Sequence, residues 1–412
     1  MLLLSSARPA GAELPLDETR GAARVCSAGP ARAVAHALRA RAEAGAQAAS
    51  VLPNPELIVE HDRILGERGG HETTAGLGVP LGIGGQRSLR KDAAGIRRSA
   101  ARAEAEFTLL DQSLAFREAF VEVAAESARL EVLEEQQRAL DGLAELIRGL
   151  AKGGEVAGFD LLRQQNQARS HRRAVSLSKA RASSSRRWVE TWMGLPVSLP
   201  ARDLDALGGG SGVLSKVEAA RKVEHPRVRA LEASAQAASL DAKAARRRSV
   251  PDLGLFLGYR TVTASGAGTS STGHGFRAGL SLPLTFFDHG QGDAAQADAD
   301  ARVARATAGQ LRRENGASVR ASSERLKLLE QSRPEVDRGA RDADVLRQKA
   351  RQLYAAGELS ITELLDAYRA AEEARLARID LAEEIAAARL SLMRALGTQL
   401  DPRLDAACGS KP

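Results

Sequence analysis

Apolar and polar residues alternate strictly over two short stretches of the chain. Phe276, Ala278, Leu280, Leu282, Leu284 and Phe286 share one face, and Arg277, Gly279, Ser281, Pro283 and Thr285 share the other. Thr73, Ala75, Leu77, Val79, Leu81 and Ile83 carry the same row earlier. A period of two is that of a strand with one apolar side. Four strands are expected, at 56–65, 72–83, 252–263 and 275–287, with Gly-rich loops from Gly66 to His71 and from Ala264 to His274. Elsewhere the apolar spacing is three to four, as in Leu376, Ile379, Ala382, Ala386, Leu390, Met393 and Leu396. That spacing makes a helix face suited to side-by-side packing. Helices are expected at about 15–50 and 213–249, with Pro30 and Pro226 interrupting or opening them. Long ones follow at 86–149 and 291–354, and partners at 156–194 and 360–397. Gly194 and Gly397 suit C-caps, and Pro334 is expected to kink or locally break the 291–354 helix.

The same order of elements occurs twice. Pro251–Tyr259 answers Pro55–Arg63 at an offset of 196 positions, and Ala278–Leu284 answers Ala75–Leu81 at 203. Gly357–Leu365 answers Gly154–Leu162, again at 203. A repeat of about 200 residues is far longer than solenoid units of about 20–50. It is a duplicated half-protein, with one loop insertion. The chain divides into a residual export segment (1–13), a first repeat (14–212), a second repeat (213–400) and a tail (401–412), with 195–213 as linker. Within the repeats the long hairpins occupy 86–194 and 291–397.

An alternating strand fits an antiparallel sheet resting on a core. It also fits a membrane barrel wall, apolar outside and polar inside. On such a wall Phe276, Leu280, Leu282, Leu284, Phe286, Leu77, Val79 and Leu81 face lipid. Length favours the wall, because a helix of about 60 residues spans ~90 Å and four short strands cannot cover it. Four strands also cannot close a barrel, and open edges do not sit in lipid. Three copies pooling their strands make a 12-stranded barrel under cyclic symmetry, with the helices pooled into a hollow cylinder. The fold class is therefore mostly α with a small β part.

Composition narrows the function. Aromatics make up only 3% of the chain, which suits Ala-packed helices better than thick cores. The net charge of +7 invites nucleic acid. Arg is nevertheless interleaved with Glu along helices, as in 129–138, and no aromatic-plus-basic platform accompanies it. No nucleic-acid partner is expected. Cys26 and Cys408 are the two cysteines, too few for a disulfide framework and without CxxC spacing. No apolar run of about 18 residues exists for a membrane-spanning helix. The stretch Met1–Ala12 has small residues like an export cleavage site but too short an apolar run. On that reading the true start lies upstream, or the chain is not exported. The seven histidines show no ligand spacing. No catalytic constellation, metal site or cofactor is expected, so the chain is not read as an enzyme. His61, Asp62 and Arg63 bring charge to a strand end, suiting an interface or lumen position. Asp288 suits a helix N-cap.

Three features carry a family resemblance: Tyr354-x-x-Gly357-x-x-Ser360 followed by Glu363-Leu-Leu-Asp366-Ala367, the paired Gly-Leu-x-x-Pro-Leu strands at 76–81 and 279–284, and the Ala-Leu-Gly ending at 395–397. Together they make the chain, from about Leu14 to Leu400, resemble the TolC-like outer-membrane efflux proteins. The Pro80–Arg87 turn with Asn54–Leu57 before it is most similar to the heavy-metal (cobalt–zinc–cadmium) branch. The resemblance implies a homotrimeric outer-membrane duct with a periplasmic helical extension. It also implies partners: a periplasmic adaptor, an inner-membrane pump and outer-membrane lipid. The cargo would be metal ions or small toxic compounds, although such ducts contribute little to selectivity. By the same resemblance Tyr354, Glu363 and Asp366 are gate residues at the periplasmic tip. Their first-repeat counterparts are Ala151, Asp160 and Arg163, so that repeat lacks the doubly acidic pattern. Read without the family, Glu363 and Asp366 are an acidic first helical turn complementing the dipole. The turns holding Gly153, Gly154, Gly357 and Ser360 are expected adaptor-docking points, or plain interhelical loops. A soluble periplasmic scaffold or adaptor built on helical hairpins is the alternative function.

Overall fold

The computed structural model describes residues 14–15, 17–65, 69–152, 158–194, 196–198, 204–266 and 269–408. Within these, β1 (Leu14–Pro15) pairs in parallel with β4 (Val197–Ser198). The alternating segments become β2 (Glu56–Ile64), β3 (Gly70–Leu81), β5 (Leu253–Gly266) and β6 (Thr269–Ser281). They form one antiparallel sheet in the order β2-β3-β5-β6. The two copies of the repeat meet at β3 and β5, where Leu77 opposes Leu257 and Gly76 opposes Gly258.

Two expected boundaries move. The stretch from Ala264 to His274, expected as a loop, is mostly ladder down to the Gly266–Thr269 pair. Its Thr and Ser residues sit well on a pleated surface, and the many glycines do not stop pairing. At the other end β6 stops at Ser281, so Leu282, Leu284 and Phe286 lie beyond the strand. Pro283 has no N–H to give a ladder. Ile83 likewise falls in the turn after β3.

Helices fill the rest: α1 (Glu18–Ala28), α2 (Pro30–Ser50), α3 (Gln86–Lys152), α4 (Gly158–Met193), α5 (Val213–Ala220), α6 (Pro226–Arg246), α7 (Gln291–Ala355), α8 (Ile361–Leu396) and α9 (Pro402–Cys408). Pro30 and Pro226 occupy first helical positions, where the missing N–H costs nothing. The helix expected over 15–50 is thus two. α4 and α8 both run 36 residues. The break expected at Pro334 does not occur; α7 is one helix through it. Asp288 is not the N-cap: α7 begins at Gln291, and Asp288 Oδ1 accepts the Gly290 N–H at 2.9 Å in the turn before the helix. α8 ends at Gly397 in the left-handed region, φ 73°.

Two compact units form, and each draws on both repeats. One comprises His36–Glu104 and Arg227–Leu311. It holds the large sheet and helical segments that bury alanines such as Ala93, Ala242, Ala244 and Ala301. Small side chains let helices approach closely, which explains the scarcity of aromatics. Gln86 Nε2 donates to the carbonyls of Arg247 at 2.8 Å and Val250 at 3.0 Å, tying the start of α3 to the end of α6. At Gly290 (φ 83°) a Cβ would overlap the Ala245 carbonyl, so that junction requires glycine.

The other unit comprises Met1–Ala35, Ala105–Pro226 and Arg312–Pro412. Its core packs Leu114, Phe116, Val123, Val189, Leu390 and Leu392. Through this core runs a buried polar lock. Arg117 Nε donates to Glu18 Oε1 at 2.6 Å and its Nη1 to Gln399 Oε1 at 2.8 Å, while Glu18 Oε2 also accepts the Gly208 N–H at 3.0 Å. One ion pair therefore joins α1, α3, the linker and the segment after α8. Arg389, also buried, donates to the carbonyls of Asp205 (3.1 Å) and Leu207 (3.2 Å) and to Glu330 (3.0 Å). The cysteines, expected to form no framework, are joined: Cys26 of α1 and Cys408 of α9 form a disulfide across 382 positions. Separation along the chain hid it, because only folding brings α1 and α9 together. Glu18→Ala leaves Arg117 buried and uncompensated, a loss of about 3–5 kcal/mol. Denaturant unfolding of the solubilised protein should show a lowered midpoint of that size, and Glu18→Gln a smaller one.

Candidate functional site

The turn between α7 and α8 is built by local backbone chemistry. Gly357 takes φ 77°, and the Gly357 and Glu358 N–H groups donate back to Tyr354 O (3.1 Å) and Leu353 O (2.9 Å). Ser360 then caps α8. Its hydroxyl accepts the Glu363 N–H at 3.3 Å, and Glu363 Oε2 accepts the Ser360 N–H at 2.9 Å and its hydroxyl at 2.7 Å. This is a reciprocal capping box. The bonds from Ser360, side chain first and then backbone, hold the Glu363 carboxyl below the ordinary glutamate range. The Ser-x-x-Glu spacing is the signal by which the sequence alone could have located Glu363.

The other expected gate residues take different surroundings. Asp366 is exposed and pairs with Arg369 at 3.3 Å, not with Glu363. Tyr354 is buried with Leu140, Leu143, Leu364 and Tyr368. Its hydroxyl has no hydrogen-bond partner among the described residues, and burial first, then the Asp160 charge, pushes it above its ordinary value. Arg163 Nη1 donates to Thr362 Oγ1 at 2.9 Å, so the first-repeat helix α4 is bonded to the first turn of α8. The structure thus brings Asp160 and Arg163 to the second-repeat turn and leaves Glu363 and Asp366 in separate contacts. Thr362 is the participant the sequence did not single out. Gly153 and Gly154 lie outside the described residues.

The sheet is the second candidate surface. Leu77, Val79, Phe276 and Leu280 share a face with Leu57, Val59, Leu255 and Leu257 by register. That face is bare: Phe276 is 92% and Leu280 72% exposed. The opposite face carries Arg277–Glu60 at 2.6 Å and Arg260–Glu72 at 2.7 Å. Between these pairs the Phe256 ring lies over Gly76 and Gly258, in space that a Cβ at either glycine would occupy. Asp62 sits on this charged face, and His61 and Arg63 on the apolar one, so the three do not act as one cluster. Among the described residues no group of three or more His, Cys, Asp and Glu side chains could hold a metal ion. No described helix is long and apolar enough to cross a membrane.

Residues 220–398 match the model of the outer membrane efflux protein family. No curated protein matches the chain. Among solved structures, the outer-membrane channel OprN is similar at 19% identity and a TM-score of 0.74, over 92% of this chain and 90% of that one. CusC, described in terms of folding and transmembrane channel formation, gives 18% and 0.73 over 94% of both chains. The Campylobacter jejuni CmeC outer membrane channel gives 13% and 0.72, over 96% and 90%. At such identities the likeness is one of fold. The family resemblance read from the motifs agrees with the match over 220–398, and the expected fold with the solved structures.

Ser360→Ala removes one cap, at a cost of about 1 kcal/mol to the start of α8, read as faster amide exchange over 361–364. Acid should act in the same direction. A depressed folded-state carboxyl stabilises above its unfolded value and loses that contribution as pH falls through the folded one. Protection of these amides, measured relative to the intrinsic exchange rate at each pH, should therefore be greatest near neutrality and fall as acid protonates Glu363.

Proposed function

We propose, from the match of residues 220–398 to the outer membrane efflux protein family, that this chain is the exit duct of a tripartite efflux system. Three copies pool their strands into a 12-stranded outer-membrane barrel, and their helices into a periplasmic α-barrel. The observation that carries this reading is the sheet, with one apolar, exposed face and two unpaired edges, β2 and β6. Lipid covers such a face, and β6 of one copy pairing with β2 of the next removes the edges. A soluble helical-hairpin scaffold leaves both uncovered. Leu282, Leu284 and Phe286, beyond β6, extend the apolar surface where the wall gives way to helix.

In this reading transport is passive and needs neither catalysis nor cofactor. The energy comes from an inner-membrane pump joined through a periplasmic adaptor, which docks on the helical turns around Gly357 and Ser360 and their counterparts at Gly153 and Gly154. The same turns gate the pore. Glu363 and Asp366 from three copies make a ring of carboxylates. Like charges gathered in one ring repel, so the ring favours cations or basic partner residues. Arg163 on Thr362 and Asp160 beside Tyr354 restrain the turn. The cargo is metal ions or small toxic compounds, with the heavy-metal branch a matter of ancestry.

Detergent-purified protein should be trimeric and should conduct in planar bilayers; a soluble monomer without channel activity sinks the duct. Leu77→Arg, on the apolar face, should cost about 2–4 kcal/mol of membrane insertion at mid-depth, seen as lost trimer in the membrane fraction. Glu363→Gln with Asp366→Asn keeps a capping acceptor and removes charge. Single-channel conductance should rise and cation preference fall; unchanged currents return both residues to ordinary helix-start chemistry.

A further inference from the structure

The apolar face of the sheet does not stay apolar to the hairpin tips. Register stacks its residues in rows across the four strands: Leu57–Leu77–Leu257–Ala278, then Val59–Ala75–Tyr259–Phe276. The next row toward the tips is His61–Thr73–Thr261–His274, and the next Arg63–His71–Thr263–Thr272. The change falls at an aromatic row. Tyr259 meets Phe276 edge-on at 5.9 Å and stacks on His274 at 6.0 Å. Beyond it the His61 and His71 rings lie 5.8 Å apart, His61 Nδ1 is 2.8 Å from Thr73 Oγ1, and Thr263 Oγ1 is 3.3 Å from Thr272 Oγ1. His61, Arg63, His71 and His274 are exposed.

Charge is sorted by face. The acidic residues of these strand ends, Glu60, Asp62 and Glu72, all fall on the opposite side by alternation, where Glu60 and Glu72 meet Arg277 and Arg260. The two tipward rows on the apolar face contain only imidazole, guanidinium and hydroxyl groups. Such donors suit phosphate oxygens. Depth agrees as well. Rows two residues apart are separated by ~7 Å along a strand, comparable to the headgroup layer of about 5–7 Å on each side of a bilayer.

We infer that His61, Arg63, His71 and His274, with the threonines between them, form a collar that binds the anionic phosphate headgroups of the outer leaflet. This rests on the duct reading, in which the apolar face meets lipid and the hairpin tips lie away from α3 and α7. The aromatic row marks the hydrocarbon boundary, and the collar holds the phosphates just above it.

The test compares wild type with a His61→Gln, Arg63→Gln, His71→Gln variant, each as detergent-solubilised full-length protein. Purified lipopolysaccharide, intact or enzymatically dephosphorylated, is titrated while the unfolding temperature is followed. Conductance in phosphatidylcholine bilayers is measured in parallel. Intact lipopolysaccharide should stabilise wild type at about tenfold lower concentration than the variant, one permanent charge and two imidazole donors per copy being lost. Dephosphorylated lipid should erase the difference, and both proteins should conduct alike. Equal responses of wild type and variant, or indifference to the phosphates, overturn the collar and leave the duct standing. A wild type that forms no conducting trimer overturns both.

Discussion

The unpaired edges of a four-stranded sheet govern much of this protein. The outward-facing backbone N–H and C=O groups of β2 and β6 have no partner strand among the described residues, and one face of the same strands is apolar and bare. In water such a surface aggregates, and in lipid an open edge is intolerable. The proposed pairing of edges between copies would answer both demands at once. The duplication prepares for it: β3 of the first repeat and β5 of the second join without a break in the ladder, so the outer strands β2 and β6 can continue the same pattern.

The helical unit solves a different problem, that of holding distant segments with little aromatic mass. Glu18 and Arg117 do so with a buried pair that also engages Gly208 and Gln399. A buried ion pair is weak evidence for net stability, but it is strongly directional once formed. Arg389 adds carbonyl contacts to the linker, and the Cys26–Cys408 bond closes α1 on α9. Each device joins segments at least 99 positions apart, where loop closure is most costly. Alanine packing does the rest along the helices.

At the α7–α8 turn two roles share the same atoms. Glu363 is part of a capping box, which any helix start can use, and its carboxylate is thereby kept ionised to lower pH. A residue pinned in this way is also well suited to present charge at a fixed place. Tyr354 keeps its hydroxyl buried, with no hydrogen-bond partner among the described residues. The Arg163–Thr362 bond shows why the unequal repeats matter. A second acidic residue at position 163 would leave the Thr362 hydroxyl without this guanidinium donor.

The duplicated order of elements, the period-two rows and the long helices were legible in the chain itself, because each depends on residues close together in sequence. Strand limits were legible only in part. The pairing of β5 with β6 overrode the glycines of 264–274, and the ladder ended at the Gly254–Ser281 pair, leaving Leu282, Leu284 and Phe286 outside it. The capping box could be read from Ser360 and Glu363, whereas the Asp366–Arg369 pair depended on side-chain conformation. Tertiary structure alone decided that Cys26 meets Cys408 and that Arg117 is buried against Glu18. The physical reason is common to these cases. Local periodicity is set by backbone geometry over a few residues, whereas contacts between distant segments exist only once the chain has closed on itself.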